Sequence, residues 1–300
     1  MSYEPDKERA TDTFAEKKIA GLRWAVSLSA FLAVTKAAAG IFCSSAALLA
    51  SALDSLMDAG ISSANYLAVR KGSKPPDENH AYGHEKIESL ASYTQGVIIL
   101  IFAVLIFGES LRRTFGKVAL FHSGWALGTI AFASFVNLFL VGVLGGAQKK
   151  TGSLILKAER AHYLTDIYSY AAIFIALFLV RATGWTGWDI VGAILLAGYV
   201  AFLAIQILKQ AADELVDRSL SKNELDALGL IIRNHPRILD YHEMRTRKAG
   251  NKTFIDFHLV MKPNQSFERA HSITESLIQK IKSRFKNSDV TIHEDPEGGI

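Results

Sequence analysis

Residues 46–69 read AALLASALDSLMDAGISSANYLAV, an apolar run of helical length that is interrupted by Asp54 and Asp58. A second run, residues 161–179, reads AHYLTDIYSYAAIFIALFL and opens with His162 and Asp166. Each pair is spaced i, i+4, so both of its side chains lie on one helix face, one turn apart. An ionised carboxylate at the centre of a bilayer costs about 2.5–3.5 kcal/mol, so three cost roughly 8–10 kcal/mol without a compensating partner.

A divalent cation would compensate these charges. Three carboxylates and one imidazole on two facing helices form a four-ligand set, the cavity quartet, that suits Zn²⁺ or a similar metal. Without a thiolate the set argues against Cu(I) and permits Zn²⁺, Cd²⁺, Fe²⁺, Co²⁺ or Mn²⁺, and the imidazole favours Zn²⁺. The alternative is a hydrogen-bonded cluster that only holds helices together, but ionisable groups inside membranes are functional by default. We therefore expect a metal-ion transporter and no enzyme.

The composition is that of a membrane protein. Half of the 300 residues are hydrophobic, and the mean hydropathy is positive, which is unusual for a soluble domain of this length. Stretches of roughly 17–25 apolar residues can each span a bilayer. Six of them predict six transmembrane helices, at about Ala20–Ile41, Ala46–Val69, Ser89–Ser110, Trp125–Gly146, Ala161–Val180 and Trp188–Leu208.

Charge patterning predicts the orientation and three regions. Short segments on the N-terminal side of the bilayer hold 13 Lys and Arg and those on the other side hold 4, which places both termini in the cytoplasm. Residues 1–19 form a polar leader without a removable signal peptide, residues 20–209 the membrane domain, and residues 210–300 a soluble tail. The tail carries 14 basic and 14 acidic residues, so the net charge of +4 belongs to the membrane half, where it fits lipid headgroups rather than nucleic acid.

The tail has the pattern of a small α+β domain. Ser221 and Glu224 form a capping box that opens a helix through about Asn234. Residues 254–261 alternate, with Ile255, Phe257, Leu259 and Met261 on one face of a strand. The complete predicted order is αββαβ, with elements at about Ser221–Asn234, Tyr241–Lys248, Phe254–Met261, Phe267–Phe285 and Asp289–His293. This order predicts a small sheet covered by helices on one face. Cys43 is alone, so one chain can form no disulfide.

Three further motifs complete the pattern. The loop after the second span reads PPDENHAYGH at residues 75–84, and the tail contains HEMRTR at residues 242–247 and IHEDP at residues 292–296. With the two acidic pairs, these motifs resemble the cation diffusion facilitator family of metal exporters, most closely its bacterial zinc and ferrous-iron branch. The match covers nearly the whole chain, and the order and spacing of the motifs are highly specific.

The resemblance implies a homodimer with six spans per chain that exchanges cytoplasmic Zn²⁺ for protons by alternating access. It implies a metallochaperone-like cytoplasmic domain, and the inner membrane of a bacterium as the location. It assigns Asp54, Asp58, His162 and Asp166 to the transport site and Asp77, His80 and His84, the loop trio, to a second metal site. A further, binuclear site in the tail, the tail set, comprises His242, His258, His271, His293 and Asp295; Glu294 adjoins it.

Several alternatives stay open at this point. The transported ion could be Fe²⁺, Cd²⁺, Co²⁺ or Mn²⁺ instead of Zn²⁺, and Fe²⁺ or Cd²⁺ could also occupy the bound-metal sites. The protein could be a membrane-anchored metal sensor or buffer, the loop trio a polar turn, and each tail histidine a solvated side chain. Lys36, in the first span, could pair with an aspartate or extend to the membrane interface. Because metals bind deprotonated ligands, we expect metal binding and proton release to be linked, with His162 as the group best placed to change charge.

Overall fold

The computed structural model describes residues 5–42, 46–115, 124–185, 187–263 and 265–296. The chain forms two compact units, one of Asp12–Ala212 and the other containing Asp213–Ile300. The first is helical and the second combines helices with a sheet. The predicted regions 1–19, 20–209 and 210–300 stay predictions.

Long helices make up the first unit. In chain order they are α1 (Pro5–Phe42), α2 (Ala46–Gly72), α3 (Lys86–Phe115), α4 (Gly124–Thr151), α5 (Leu154–Thr183) and α6 (Gly187–Leu215). They contain the six predicted apolar stretches but extend beyond them. Helix α1 begins within the predicted polar leader, where Glu, Lys and Ala are good helix formers. Helix α5 begins seven residues before Ala161, so its first two turns carry residues expected in a loop.

Four helical segments in the described residues are long and apolar enough to cross a membrane. They are Phe14–Phe42, Lys86–Arg112, Ala131–Thr151 and Ile190–Leu215, which lie in α1, α3, α4 and α6. The two remaining long helices, α2 and α5, are those that carry the cavity quartet. The first unit is therefore a helical transmembrane domain with four clear apolar spans.

Helix α5 is the centre of the packing in this unit. One buried cluster joins Ile155 and Leu156 of α5 to Leu140 and Leu144 of α4. A second cluster joins Ala158 and Ala161 of α5 to residues of α3 and α6. The small alanines allow these helices to approach closely. Packing on both sides keeps the middle of α5, which includes His162, inside the unit.

The tail has the predicted element order. Its elements are α7 (Lys222–Arg233), β1 (Ile238–Ala249), β2 (Lys252–Met261), α8 (Phe267–Arg284) and β3 (Ser288–Pro296). The predicted capping box is confirmed: Ser221 is the N-cap of α7, and the Glu224 carboxylate accepts a hydrogen bond of 2.9 Å from the Ser221 backbone N–H. Helix α8 begins after Ser266, whose hydroxyl oxygen accepts from Arg269 N–H at 3.3 Å.

The three strands form a sheet in the order β1-β2-β3, with β1 and β2 antiparallel and β2 and β3 parallel. The predicted alternation of β2 is confirmed, because Ile255, Phe257, Leu259 and Met261 are buried against α7 and α8. Asp256 is exposed and His258 half-buried on the opposite face. The helices thus leave one sheet face for polar side chains.

Candidate metal centres

Two of the helices bring Asp58, His162 and Asp166 together. His162 Nε2 lies 2.8 Å from Asp58 Oδ1, and one ligand atom from each of the three residues lies within 4.8 Å of the others. Asn137 of α4 donates to Asp166 Oδ2 at 3.2 Å. The three side chains line a cavity of about 250 Å³. The i, i+4 spacing on α5 places His162 and Asp166 on the face that meets α2.

The fourth member of the quartet lies farther away. Asp54 lines the same cavity but stays outside the group within 4.8 Å, one turn from Asp58 toward the N-terminus of α2. Its side chain is exposed, whereas His162 is buried. Asp54 therefore needs a rotamer or helix shift to bind the same ion as the other three.

Lys36 of α1 also lines this cavity. It is only 6% exposed, and its Nζ donates to Ser55 Oγ at 2.8 Å and to the Ser51 carbonyl at 3.5 Å. The expectation that this lysine extends to the membrane interface is therefore wrong. Ser51 and Ser55 of α2 provide hydrogen-bond acceptors inside the unit, although residues 46–69 are mostly apolar.

Sequence reasoning missed a second buried carboxylate, Glu159, one turn before His162 on α5. Glu159 is fully buried and accepts hydrogen bonds from Ser62 and Asn65 of α2 and, at 3.0 Å, from Gln95 of α3. A buried carboxylate needs such partners. Glu159 lies outside the predicted span Ala161–Val180, and sequence reasoning assigned it no role. The i, i+3 spacing from His162 was the signal that could have found it.

The loop trio comes together in the segment between α2 and α3. Asp77 is its centre: Oδ1 lies 3.1 Å from His80 Nδ1, and Oδ2 lies 3.2 Å from His84 Nε2. The two imidazole rings are 4.5 Å apart. Burial opposes ionisation of Asp77, but hydrogen bonds from His80 outweigh it and hold the pKa of Asp77 below its ordinary value. The loop is thus folded around an ionised carboxylate with two imidazoles beside it.

In the tail, the strand register places three histidines in one row across the sheet. His242 pairs with His258, and His258 pairs with His293. Neighbouring strands are about 4.8 Å apart, and the ring centroids are accordingly 5.1 and 4.7 Å apart. Asp295, two residues after His293, lies on the same face. These four residues, the tail cluster, occupy the sheet face opposite the helices.

Asp295 is the centre of the tail cluster. Its Oδ2 lies 2.9 Å from His258 Nδ1 and 3.2 Å from His242 Nε2, and its Oδ1 lies 3.3 Å from His293 Nε2. The hydrogen bond from His258 holds the pKa of Asp295 below its ordinary value, although burial opposes it. His242, His258 and Asp295 each offer a ligand atom within 4.8 Å of the others.

The donor sets of the loop trio and of the tail cluster fit a metal ion. His242 Nε2 is buried and, despite its distance of 3.2 Å from Asp295, makes no hydrogen bond with any described residue. In the loop trio, His84 Nδ1 is also buried and makes no hydrogen bond with any described residue. Imidazole nitrogens with carboxylate oxygens form the ligand set of Zn²⁺ and similar ions. The unsatisfied nitrogen of His242 points to a group that would complete the tail cluster.

Two tail residues lie apart from the cluster. His271 lies on α8, where its ring stacks on that of Phe267 with 6.3 Å between the ring centroids. Its assignment to the tail metal site stays a prediction. Glu294 lies on the helix-covered side of β3 and accepts a hydrogen bond of 2.5 Å from the Thr274 hydroxyl of α8. Sequence adjacency to His293 and Asp295 suggested proximity, but alternation along a strand sends Glu294 to the other face.

Comparison with known proteins agrees with this arrangement. Residues 22–216 match the cation efflux transmembrane domain, and residues 220–297 match the cytoplasmic domain of cation efflux proteins. The chain belongs to the cation diffusion facilitator family. The chain is similar to the cation-efflux pump FieF of Shewanella oneidensis, with 33% identity over 91% of this chain and 92% of that protein. FieF of Salmonella schwarzengrund is 32% identical over 91% of this chain and 90% of its own length.

Among solved structures, the chain is similar to the zinc form of the putative zinc transporter CzrB, with 30% identity over 28% of this chain and 97% of that chain and a TM-score of 0.27. Membership of the cation diffusion facilitator family makes this chain an integral membrane protein of a transporter family rather than an enzyme. It also supports divalent metal cations as substrates and a homodimeric assembly.

Proposed function

We propose that this protein exports Zn²⁺ from the cytoplasm in exchange for protons. The proposal includes six membrane spans, cytoplasmic termini and the inner membrane of a bacterium. The observation that carries it is the approach of Asp58, His162 and Asp166 to within 4.8 Å of one another on two helices lining one cavity. A buried group of this kind is costly in a membrane unless it serves an ion.

The proposed cycle follows from the chemistry of these side chains. Metal binding requires deprotonated carboxylates and a neutral imidazole, so an arriving ion displaces protons. The contact between His162 Nε2 and Asp58 Oδ1 breaks or turns to admit the ion, because the same two atoms are its ligands. When the cavity faces the other side, protons return to these groups and the metal leaves. Asn137 orients Asp166 throughout, through its hydrogen bond to Oδ2.

The loop trio and the tail cluster would hold resident metal rather than transported metal. The loop trio lies directly before α3, where a bound ion would fix the segment between two membrane helices. The tail cluster would hold an ion on the exposed sheet face, supplied by His242, His258, His293 and Asp295, with His271 as a predicted further ligand. Because the ligand atoms already converge, binding would need little rearrangement. We propose that this metal stabilises the homodimer.

Two other readings remain as competitors. The cargo could be Fe²⁺, Cd²⁺, Co²⁺ or Mn²⁺, since mixed carboxylate and imidazole ligands accept all of them. A membrane-anchored sensor or buffer would use the loop and tail clusters and transport nothing. The convergence of the cavity residues favours transport over sensing, because a sensor needs no ligand set inside the helical unit.

The test is competitive uptake of several divalent metals into proteoliposomes, with internal pH followed at the same time. We expect uptake of Zn²⁺ with counterflow of protons, and loss of both in Asp58→Ala and in His162→Ala. Asp226→Ala removes an exposed carboxylate of α7 and serves as the control that retains transport. Full metal-driven proton flux in either cavity variant would refute the assignment. Metal binding without uptake in the unmodified protein would favour the sensor.

A further inference from the structure

Among the described side chains of helix α1, two lysines are buried, and their partners differ. Lys18 is 4% exposed and pairs with the Glu88 carboxylate, at 2.8 Å to each oxygen. Lys36 is 6% exposed and donates to neutral oxygens, Ser55 Oγ and the Ser51 carbonyl. A buried ammonium without a carboxylate in its hydrogen-bond shell is costly. The charge that balances Lys36 must therefore come from farther across the cavity that it lines.

The acidic residues of that cavity are the evident source. Lys36, Asp54, Asp58 and Asp166 all line the same space, so the ammonium acts on the three carboxylates through a low dielectric. Ser55 follows Asp54 in sequence and holds the ammonium by a hydrogen bond of 2.8 Å. Because neutral oxygens hold Lys36, the aspartate oxygens stay available to an ion.

The net charge of the cavity side chains can be counted. Among the residues that line the cavity, which do not include Glu159, three aspartates and one lysine leave two negative charges when His162 is neutral, as a metal ligand must be. One divalent cation balances them. A monovalent cation leaves the cavity negative, and a trivalent one leaves it positive, which costs free energy in a low dielectric.

We propose that Lys36 is a specificity-determining residue that sets the cavity charge to match one divalent cation. This inference rests on the proposed function and adds the role of a fixed positive charge. Lys36 also keeps the bound ion from being held too tightly, because it repels a dication next to the same carboxylates. A transporter must release its cargo, so this repulsion favours turnover.

The experiment compares Lys36→Met with Lys36→Arg in the full-length protein. Both are made in a background that carries His80→Ala, His84→Ala, His242→Ala and His258→Ala, so that Zn²⁺ binding reports on the cavity. For Lys36→Met, removal of one positive charge should lower the dissociation constant for Zn²⁺ by about tenfold or more. Lys36→Arg keeps the charge and should stay within about threefold of the background protein.

Uptake kinetics separate this role from a structural one. Lys36→Met in proteoliposomes should lower both KM and the maximal rate, since tighter binding slows release. A residue that only supported the helices would raise KM while the rate falls. Weaker or unchanged Zn²⁺ binding in Lys36→Met would overturn the inference, and so would equal effects of Met and Arg. If Lys36→Met does not fold, as judged by gel filtration, Lys36→Gln takes its place.

Failure of the proposed function would look different. In that case the background protein with native Lys36 would bind no Zn²⁺ in the cavity, and Asp166→Asn would change nothing. If the background protein binds Zn²⁺ in the cavity, Asp166→Asn abolishes that binding and Lys36→Met leaves it unchanged, only the inference about Lys36 is wrong.

Discussion

The cavity and the tail cluster use the same side-chain types in opposite proportions. The cavity has three aspartates and one histidine, with a lysine beside them. The tail cluster has three histidines around one aspartate, on an open sheet face. In the cavity the carboxylates must be neutralised because they lie inside a helical unit. Within the tail cluster only Asp295 carries a negative charge, and the Glu243 carboxylate lies outside it, 3.9 Å from His258 Nε2.

This difference fits the proposed distinction between an ion that passes through the cavity and one that stays in the tail. A carboxylate-rich site takes up protons in exchange for metal, which suits repeated loading and release. An imidazole-rich site with one ionised carboxylate binds without large charge compensation and can hold its ion. The composition of each site thus agrees with the proposed division between cargo and resident metal.

Paired substitutions of the two central aspartates should give the largest contrast. Asp166→Asn removes a cavity charge but keeps an oxygen that can accept from Asn137, so we expect Zn²⁺ uptake to fall by about 100-fold or more. Asp295→Asn removes the carboxylate that contacts three histidines. It should weaken tail binding by about tenfold or more while at least about a third of the uptake rate remains. Proteoliposome uptake and equilibrium dialysis measure the two effects.

The comparison breaks if the two variants behave alike. Equal loss of uptake in Asp295→Asn would mean that tail metal is required for transport. Normal uptake in Asp166→Asn would mean that the buried group is structural. Gel filtration of each variant shows whether the homodimer has been lost instead.

Sequence patterns sufficed where the deciding interactions are local. Alternation fixed the buried face of β2, and the capping box at Ser221 fixed the start of α7, because both depend on neighbours within four residues. The i, i+4 spacing likewise predicted that His162 and Asp166 share one helix face, whereas their approach to Asp58 of α2 depends on how the helices pack.

The remaining features depend on contacts that are distant in sequence. The row of His242, His258 and His293 requires the register of three strands, including an irregularity between His242 and Arg245. The same register sends Glu294 to α8. Predicting the burial of Lys36 requires knowing that it meets Ser55 of α2. Predicting the burial of Glu159 requires knowing that α5 begins at Leu154. No periodicity in the chain encodes these pairings.

The loop trio tests an intermediate composition, one carboxylate with two histidines. His84 is buried and its Nδ1 makes no hydrogen bond with any described residue, whereas His80 is exposed. We expect His84→Ala to weaken loop metal binding by about tenfold and to leave more than about half of the uptake rate. Equilibrium dialysis with Zn²⁺ is done in a background that carries His242→Ala, His258→Ala and Asp166→Asn, so that binding reports on the loop trio.

His235 offers a matched control for this measurement. It too is buried, with an Nδ1 that lacks a hydrogen bond within the described chain, but it lies outside the loop trio. His235→Ala should leave the dissociation constant unchanged within about twofold. Equal losses in both variants would attribute the effect to a lost buried imidazole rather than to a lost ligand.

Acid sensitivity gives the smallest effect and shows whether the tail loses metal by ligand protonation or by loosening of its fold. Burial opposes ionisation of Glu224, but hydrogen bonds from Lys248 and Ser221 lower its pKa to about 2. A depressed pKa stabilises the folded tail above the ordinary value of 4.5, and this contribution is lost as pH falls from there toward 2. Because the carboxylate is partly exposed, Glu224→Gln should cost only about 1 kcal/mol at pH 7.

At pH 3 the cost of Glu224→Gln should fall below about half of its value at pH 7. Hydrogen exchange of α7 and β1 in the full chain, corrected for the intrinsic pH dependence, measures both. Asp226→Asn, on the exposed side of the same helix, should change stability by less than about 0.5 kcal/mol. If metal leaves the tail at the same pH in Glu224→Gln and in the unmodified protein, protonation of the ligands causes the release. If metal release shifts to higher pH in Glu224→Gln, loss of the folded tail causes the release instead. Retention of the tail metal would then depend on the stability of the tail domain.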